Sequence, residues 1–433
     1  MLVPPAQPLL SPAASVTAPT SRSLSPDLAR GMLLLLIASA NVWGYLWSDE
    51  GFNEAGGRPV GGSSLDHLVD GVLTLLVDSH TKPMFAILYG FGLATMADRL
   101  TARGAGWKAT RGVLARRSVG LIVLGLAHAA LLYGGDILAP YGAAGLMALL
   151  FLHRSRTALA WWFGVAYVLS MTAGAVALLA PSDSGMGDGA AEVATTTYVS
   201  LALERLTATA TVTSLYTITL MFVPHLVVGI LLARAGWLTR PAEHRRRLGQ
   251  LAVAAAAVSL VGSLPYALAV GQVWRPGHTQ LAVTELAHHV SGDVMGFGYV
   301  CLFSWLAAVW GQGTRRGLMS AVAAVGERSL TCYLLQSVMF APLLSEWGLG
   351  LGGRISTTQA ALLAVAVWLA TVMVAVALQR GGRRGPFEAA LRRLAYGRPG
   401  RPRAQRSRLG RLGRIGHGRK RAAARVGRRS ARP

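Results

Sequence analysis

Ten mostly apolar runs divide the chain, at roughly 31–47, 82–98, 118–134, 137–152, 157–180, 214–233, 248–271, 292–311, 328–345 and 357–379. A membrane-spanning helix needs about 20 such residues, with a tolerated range of about 17–25. Repetition of runs near that length points to an all-α fold, a polytopic transmembrane helix bundle of about ten spans. Charge supports this: 14% of residues are charged and 52% hydrophobic, against about 25% charged in a soluble domain. An ordinary soluble enzyme and a largely disordered chain are both argued against. Residues 66–98 around the second run are apolar but interrupted by Asp78, His80 and Lys82. Residues 66–80 are therefore expected to form a helix on the outer surface, with Lys82 opening the span and Pro83 in its first turn.

The net charge of +23 would by itself suggest a nucleic-acid partner. Its distribution argues otherwise. From Arg380 to Pro433 there are 19 Lys and Arg against one acid, Glu388. This segment has no aromatic residue after Tyr396, so it lacks the rings on which single-stranded bases stack, and no nucleic-acid partner is expected. It reads either as a solvated tail or as one held on anionic lipid headgroups, where each basic residue adds about 1 kcal/mol. Three regions result: a disordered Pro/Ala/Ser-rich lead-in at 1–21, a membrane domain at 22–397 and a disordered basic tail at 398–433. The lead-in has no basic stretch before its apolar patches and does not resemble a signal peptide.

Loop charges set the expected orientation. With both termini cytoplasmic, the inner segments before the tail hold 17 Lys and Arg and the outer loops four, namely Arg58, Arg205, Arg275 and Arg354. Positive residues accumulate on the cytoplasmic side. The longest outer connection, 181–213, is expected to be a lid or a flexible link.

An ionisable group at the centre of a bilayer costs about 2.5–3.5 kcal/mol, so the few polar residues within the runs are informative. His128 lies about 9 Å below the outer end of the third span, by a rise of about 1.5 Å per residue. Asp136 follows at the outer turn, and Gly134 and Gly135 between them could fold the chain to bring the two together. An imidazole base with a carboxylate beside it is one interpretation; an interhelical hydrogen bond and a capping Asp is the other. Asp27 and Arg30 are spaced to pair on one helix face at the inner mouth of the first span, either as ordinary end charges or as an anchor for phosphates. Asn41, Lys82 and Gln336, with His225 and Asp293, imply a polar interior. Gly-x-Ser-x-Gly, His-Glu-x-x-His, Walker and Cys-x-x-Cys patterns are absent. The two cysteines, Cys301 and Cys332, have no metal-ligand spacing, and no metal site is expected.

Five segments in order carry a family resemblance: Arg22 to Gly31 with Asp27 and Arg30; Gly125-Leu-Ala-His128 with Gly135-Asp136 to Gly142; Gly229 to Leu238; Gly326 to Ser337 with Arg328, Tyr333 and Gln336; and Gly385-Pro386-Phe-Glu388 with Arg392. Together they resemble domain-of-unknown-function family 418, the YeiB-like bacterial membrane proteins. Three departures stand out. Glu327 precedes Arg328 where the family reads Gly-Arg, Cys332 replaces an Asn, and Thr81-Lys82-Pro83 replaces Gly-Lys-Phe. The spacing Arg22-x-x-x-x-Asp27-x-x-Arg30-Gly31 is also similar to the opening of membrane acyltransferases such as heparan-glucosaminide acetyltransferase and the acyltransferase-3 group. The resemblance implies a multi-pass protein of the bacterial inner (plasma) membrane that moves an acyl group from cytoplasmic acyl-CoA, a co-substrate rather than a bound cofactor, to an acceptor at the outer face. Asp27, Arg30 and Arg328 would then meet the donor phosphates, and His128 with Asp136 would serve the acceptor. A multi-span transporter without chemistry and an assembly or signalling partner are the alternatives. Oligomeric state is left open.

Overall fold

The computed structural model describes residues 23–48, 51–179, 197–310 and 317–396. The lead-in 1–21 and the tail 398–433, expected to be disordered, lie outside the described residues. The described chain forms α1 (Ser25–Asn41), α2 (Ser64–Leu76), α3 (Thr81–Ala102), α4 (Trp107–Leu131), α5 (Leu138–Ala148), α6 (Arg156–Leu179) and α7 (Tyr198–Ile218). Then follow α8 (Val223–Ala235), α9 (Arg245–Val270), α10 (His278–Trp310), α11 (Leu318–Glu327), α12 (Ser329–Leu344), α13 (Thr357–Arg380) and α14 (Pro386–Tyr396). No strand occurs among the described residues; one isolated bridge pairs Phe52 with Pro59.

Six segments are long and apolar enough to cross a membrane: α1 with the turn after it, α4, α6, α9 with the turn before it, α10 and α13. The pair α7 and α8, bent by 66°, makes seven if counted as one. α6 turns Trp161, Val165, Val168 and Val176 outward. So large an exposed apolar surface suits lipid rather than water, and the chain is a membrane protein.

Of the ten expected spans, those at 82–98, 137–152, 214–233 and 328–345 are not among these six segments, and α12 in the last is a shorter apolar helix. Two of the four are built differently from the apolar runs. Run 137–152 is not one long helix. α5 has 11 residues, about 16 Å of helix, and continues as turns to His153. Run 214–233 is broken. Leu220 has a φ of 56°, a conformation that bulky side chains rarely adopt, and Pro224 then opens α8. Part of the expected lid or flexible link 181–213 is also helical, because α7 begins at Tyr198. Thr197 caps it by accepting a hydrogen bond from the Ser200 N–H at 3.3 Å. Residues 180–196 lie outside the described residues.

Contacts with α1 define two ends of the bundle. At its N-terminus, the Ser25 hydroxyl donates to Ser304 of α10 at 2.7 Å and Gly326 of α11 lies on the Asp27 backbone. Near its C-terminus, Tyr45 stacks on Tyr133 with centroids 4.7 Å apart and packs against Phe340 of α12. α7 crosses this second end. The Tyr198 hydroxyl donates to the Leu131 carbonyl, Thr209 to that of Gly134, and Tyr216 meets Lys82.

In lipid, apolar side chains gain little by leaving their surroundings, so helix association relies on close backbone approach at small residues. Two contacts show it. Gly90 of α3 and Gly229 of α8 each face the other helix's backbone, and Gly31 of α1 and Gly326 of α11 do the same.

α14 is fastened at the first end. Glu388 Oε1 accepts from the Leu330 and Thr331 N–H groups at 2.8 and 3.1 Å, and Oε2 accepts from the Thr331 hydroxyl at 2.5 Å. The carboxylate thus satisfies orphan N–H groups at the start of α12 and complements its dipole. Glu388→Ala should destabilise this junction by about 1–3 kcal/mol and accelerate tryptic cleavage at Arg383 and Arg384. Unchanged cleavage kinetics would show that α14 is held by other contacts.

Candidate functional site

α4 and α5 meet at a tight turn that brings His128 and Asp136 together. His128 is buried on the last turns of α4, and the turn through Gly134 and Gly135 reverses the chain. The Tyr133 ring packs where a side chain on Gly135 would lie. Gly125, one turn before His128 on the same helix face, leaves space that Asp136 Oδ2 and the Ala139 backbone fill. As a result His128 Nδ1 lies 2.8 Å from Asp136 Oδ1.

The rest of the shell fixes the carboxylate. Asp136 Oδ2 accepts from the Ala139 N–H at 2.8 Å, and Tyr333 of α12 donates to Oδ1 at 3.4 Å. The Tyr333 oxygen accepts in turn from the Ile137 N–H at 3.4 Å. An ionised carboxylate only accepts hydrogen bonds, so Nδ1 carries a proton, and in the neutral imidazole Nε2 then keeps its lone pair. Nε2 is buried with no partner in the protein. Both side chains are enclosed, at 1% and 0% exposure, with α7 across the adjoining turn.

Of the residues expected to meet a donor, two pair directly. Asp27 and Arg30 pair at 3.5 Å on α1, and Arg30 Nη2 also reaches the Leu88 carbonyl at 3.4 Å. The Arg328 guanidinium is engaged by backbone carbonyls. Its Nε and Nη2 donate to the Arg383 carbonyl at 3.2 and 2.9 Å, and its Nη1 to Ala324 at 3.2 Å. The guanidinium is buried and ties the α11–α12 break to the segment before α14.

Of the expected polar interior, Gln336 is buried and donates to the Leu34 carbonyl at 3.0 Å, while its Oε1 has no partner. Asn41 is half-buried at the end of α1. Lys82 is not interior. It is exposed at the start of α3, with Nζ 3.5 Å from the Tyr216 hydroxyl, because the helix begins only one residue earlier.

Several pairings have no local sequence signal. His225 of α8 and Asp293 of α10 meet at 2.9 Å beside a cavity of about 310 Å³ that Tyr167 also lines. Arg58 lies over the Trp43 ring at 4.0 Å, 2.6 Å from Asp78 and 3.6 Å from Asp70. Burial is the largest influence on Asp70 and pushes its carboxyl up to about 6 against the pull of Arg58. Ser79 lies 2.7 Å from His289. What could have been noticed is the number of isolated polar residues; their partners are up to 210 positions away.

Residues 232–398 match the family model described as protein of unknown function (DUF418). The chain is 22% identical over 393 residues to "Uncharacterized protein YxaH" of Bacillus subtilis (strain 168), covering 86% of this chain and 93% of that protein. It is 28% identical over 330 residues to "Uncharacterized protein YeiB" of Escherichia coli (strain K12), covering 72% of this chain and 80% of that protein. The family match takes in Arg328, Tyr333, Gln336 and Glu388; His128 and Asp136 precede it.

Proposed function

We propose that this protein, whose residues 232–398 match the DUF418 family model, is a membrane-embedded acyltransferase. It takes an acyl group from cytoplasmic acyl-CoA and transfers it to a hydroxyl or amine at the opposite face. The observation that carries this proposal is the His128–Asp136 pair, with Nδ1 held by the carboxylate at 2.8 Å and Nε2 left as a proton acceptor. That arrangement suits a general base. Opening of the α7 side would admit the acceptor. The Asp27–Arg30 pair lies at the other end of α1, about 20 Å away by helix rise. It would meet the donor's phosphates.

The proposal includes ten passes and both termini in the cytoplasm of a cell whose plasma membrane holds the protein. Basic residues Arg116, Arg234, Arg328 and Arg383 gather at the end that holds Asp27, and the acids Asp66, Asp70 and Asp78 at the end that holds Tyr45, which supports this orientation. The basic segment 398–433 would rest on anionic headgroups of the same leaflet.

Acyl-CoA binding to the purified full-length protein tests the donor site. Arg30→Ala should weaken binding about tenfold or more, since a hydrogen bond to a charged group contributes about 1.5–3 kcal/mol. Arg328→Ala should leave affinity unchanged and lower the unfolding temperature, because its donors already serve backbone carbonyls. Equal binding by wild type and Arg30→Ala would remove the donor site. Solute movement in proteoliposomes without thioester consumption would favour a carrier instead.

A further inference from the structure

Ser79 lies in the turn between α2 and α3 with a φ of 61°. An L-residue in the left-handed region costs roughly 1–2 kcal/mol, and Gly is the usual occupant. Here a serine occupies it. Its Oγ is 2.7 Å from His289 Nδ1 on α10, and the other ring nitrogen, Nε2, is 3.7 Å from Glu285 Oε1 one turn earlier. Gly292, on the same helix, lets α10 approach: a side chain there would press on the Ser79 Cβ and carbonyl.

The three groups form a hydroxyl, an imidazole and a carboxylate in series, the order that activates a nucleophilic serine. Two further features fit that use. The serine is strained on a sharp turn leading into a helix, as nucleophilic serines on strand-to-helix elbows are. α3, which has 22 residues, starts two residues later, and the Thr81 and Lys82 N–H groups of its first turn, Pro83 having none, would be the donors for an oxyanion. Unlike His128, this site is open: His289 is 45% exposed and Glu285 25%. It lies at the end of the bundle that holds Tyr45, because Arg58 bridges the neighbouring Asp78 to Trp43.

We propose that Ser79, His289 and Glu285 form a nucleophilic site that accepts an acyl group from an activated ester or thioester, independently of the His128 pair. The Ser79 Oγ forms a bond to the acyl carbon as its proton passes to His289 Nδ1. The bond from that carbon to the leaving oxygen or sulfur breaks, and the leaving group takes the proton from His289. Glu285 holds the imidazolium in between. Water or an acceptor hydroxyl reverses the sequence to free Ser79.

A biotinylated fluorophosphonate tests this on the full-length protein, since its P–F bond is displaced by activated serines with loss of fluoride. One adduct is expected, on the peptide containing Ser79. Ser79→Ala and Ser79→Gly should both be unlabelled, and Ser79→Gly should unfold at a temperature no lower than wild type because the strain is relieved. His289→Gln should slow labelling at least about 100-fold, the lower end of what a positioned base contributes. His128→Ala should label at the wild-type rate, which keeps this site distinct from the proposed transfer site. Absence of an adduct on Ser79 in folded wild-type protein, or wild-type labelling in His289→Gln, would overturn the proposal.

Discussion

His128→Ala is expected to lower acyl-transfer turnover by about 10²–10⁴-fold, the usual contribution of a positioned general base, with acyl-CoA affinity unchanged. The expectation rests on protonation geometry. Asp136 accepts from Nδ1 at 2.8 Å and from the Ala139 N–H at 2.8 Å, so its carboxylate is oriented from both oxygens. Asp136→Asn keeps shape but replaces one acceptor by a donor, which favours the tautomer with Nε2 protonated and so occupies the lone pair needed for catalysis. Its turnover should fall nearly as far as that of His128→Ala, and the double variant should be little worse than either, because groups that act as a unit are not additive. Tyr333→Phe, which removes only the 3.4 Å contact to Asp136, should cost far less. Turnover of Asp136→Asn at the wild-type rate would remove the base from its proposed role. Measured unfolding temperatures separate this from misfolding, since breaking a buried pair destabilises in its own right.

The second large effect is on stability. Gly326→Ala is expected to destabilise the protein by about 3 kcal/mol or more, at the upper end of overpacking costs. The added methyl would collide with the Asp27 carbonyl of α1, and backbone cannot move aside as a side chain can. Gly31→Ala should behave alike, because its methyl would meet the Val322 carbonyl of α11. Gly164 and Gly174 of α6 serve as controls. A Cβ at either position meets nothing within 4 Å, so Ala there should be neutral or stabilising by up to about 1 kcal/mol through helix propensity. Thermal unfolding in one detergent compares all four. Equal midpoints for Gly326→Ala and Gly164→Ala would mean that α1 and α11 are not in the close contact described.

Part of the candidate site could be read before any tertiary structure. His128 and Asp136 are eight positions apart with Gly134 and Gly135 between them, and a turn at those glycines is a local event. Asp27 and Arg30 share a helix face by periodicity alone. Arg328 shows the opposite case. It donates to the Arg383 carbonyl, 55 positions away, a contact that its sequence setting does not announce. His225 and Asp293, and Ser79 and His289, are joined only where helices cross, and no spacing along the chain records a crossing.

Sequence alone determined that this is a helical membrane protein, because apolar runs near 20 residues can satisfy their backbone in lipid only as helices. It also determined which loops are basic. Tertiary structure decided where a run breaks, as at Leu220, and which polar side chains meet. Lipid gives every apolar helix face nearly the same environment, so hydropathy does not select partners. The selection rests on a few glycines, such as Gly31, Gly90, Gly229 and Gly326, that let particular backbones touch and thereby set which buried charges can reach one another.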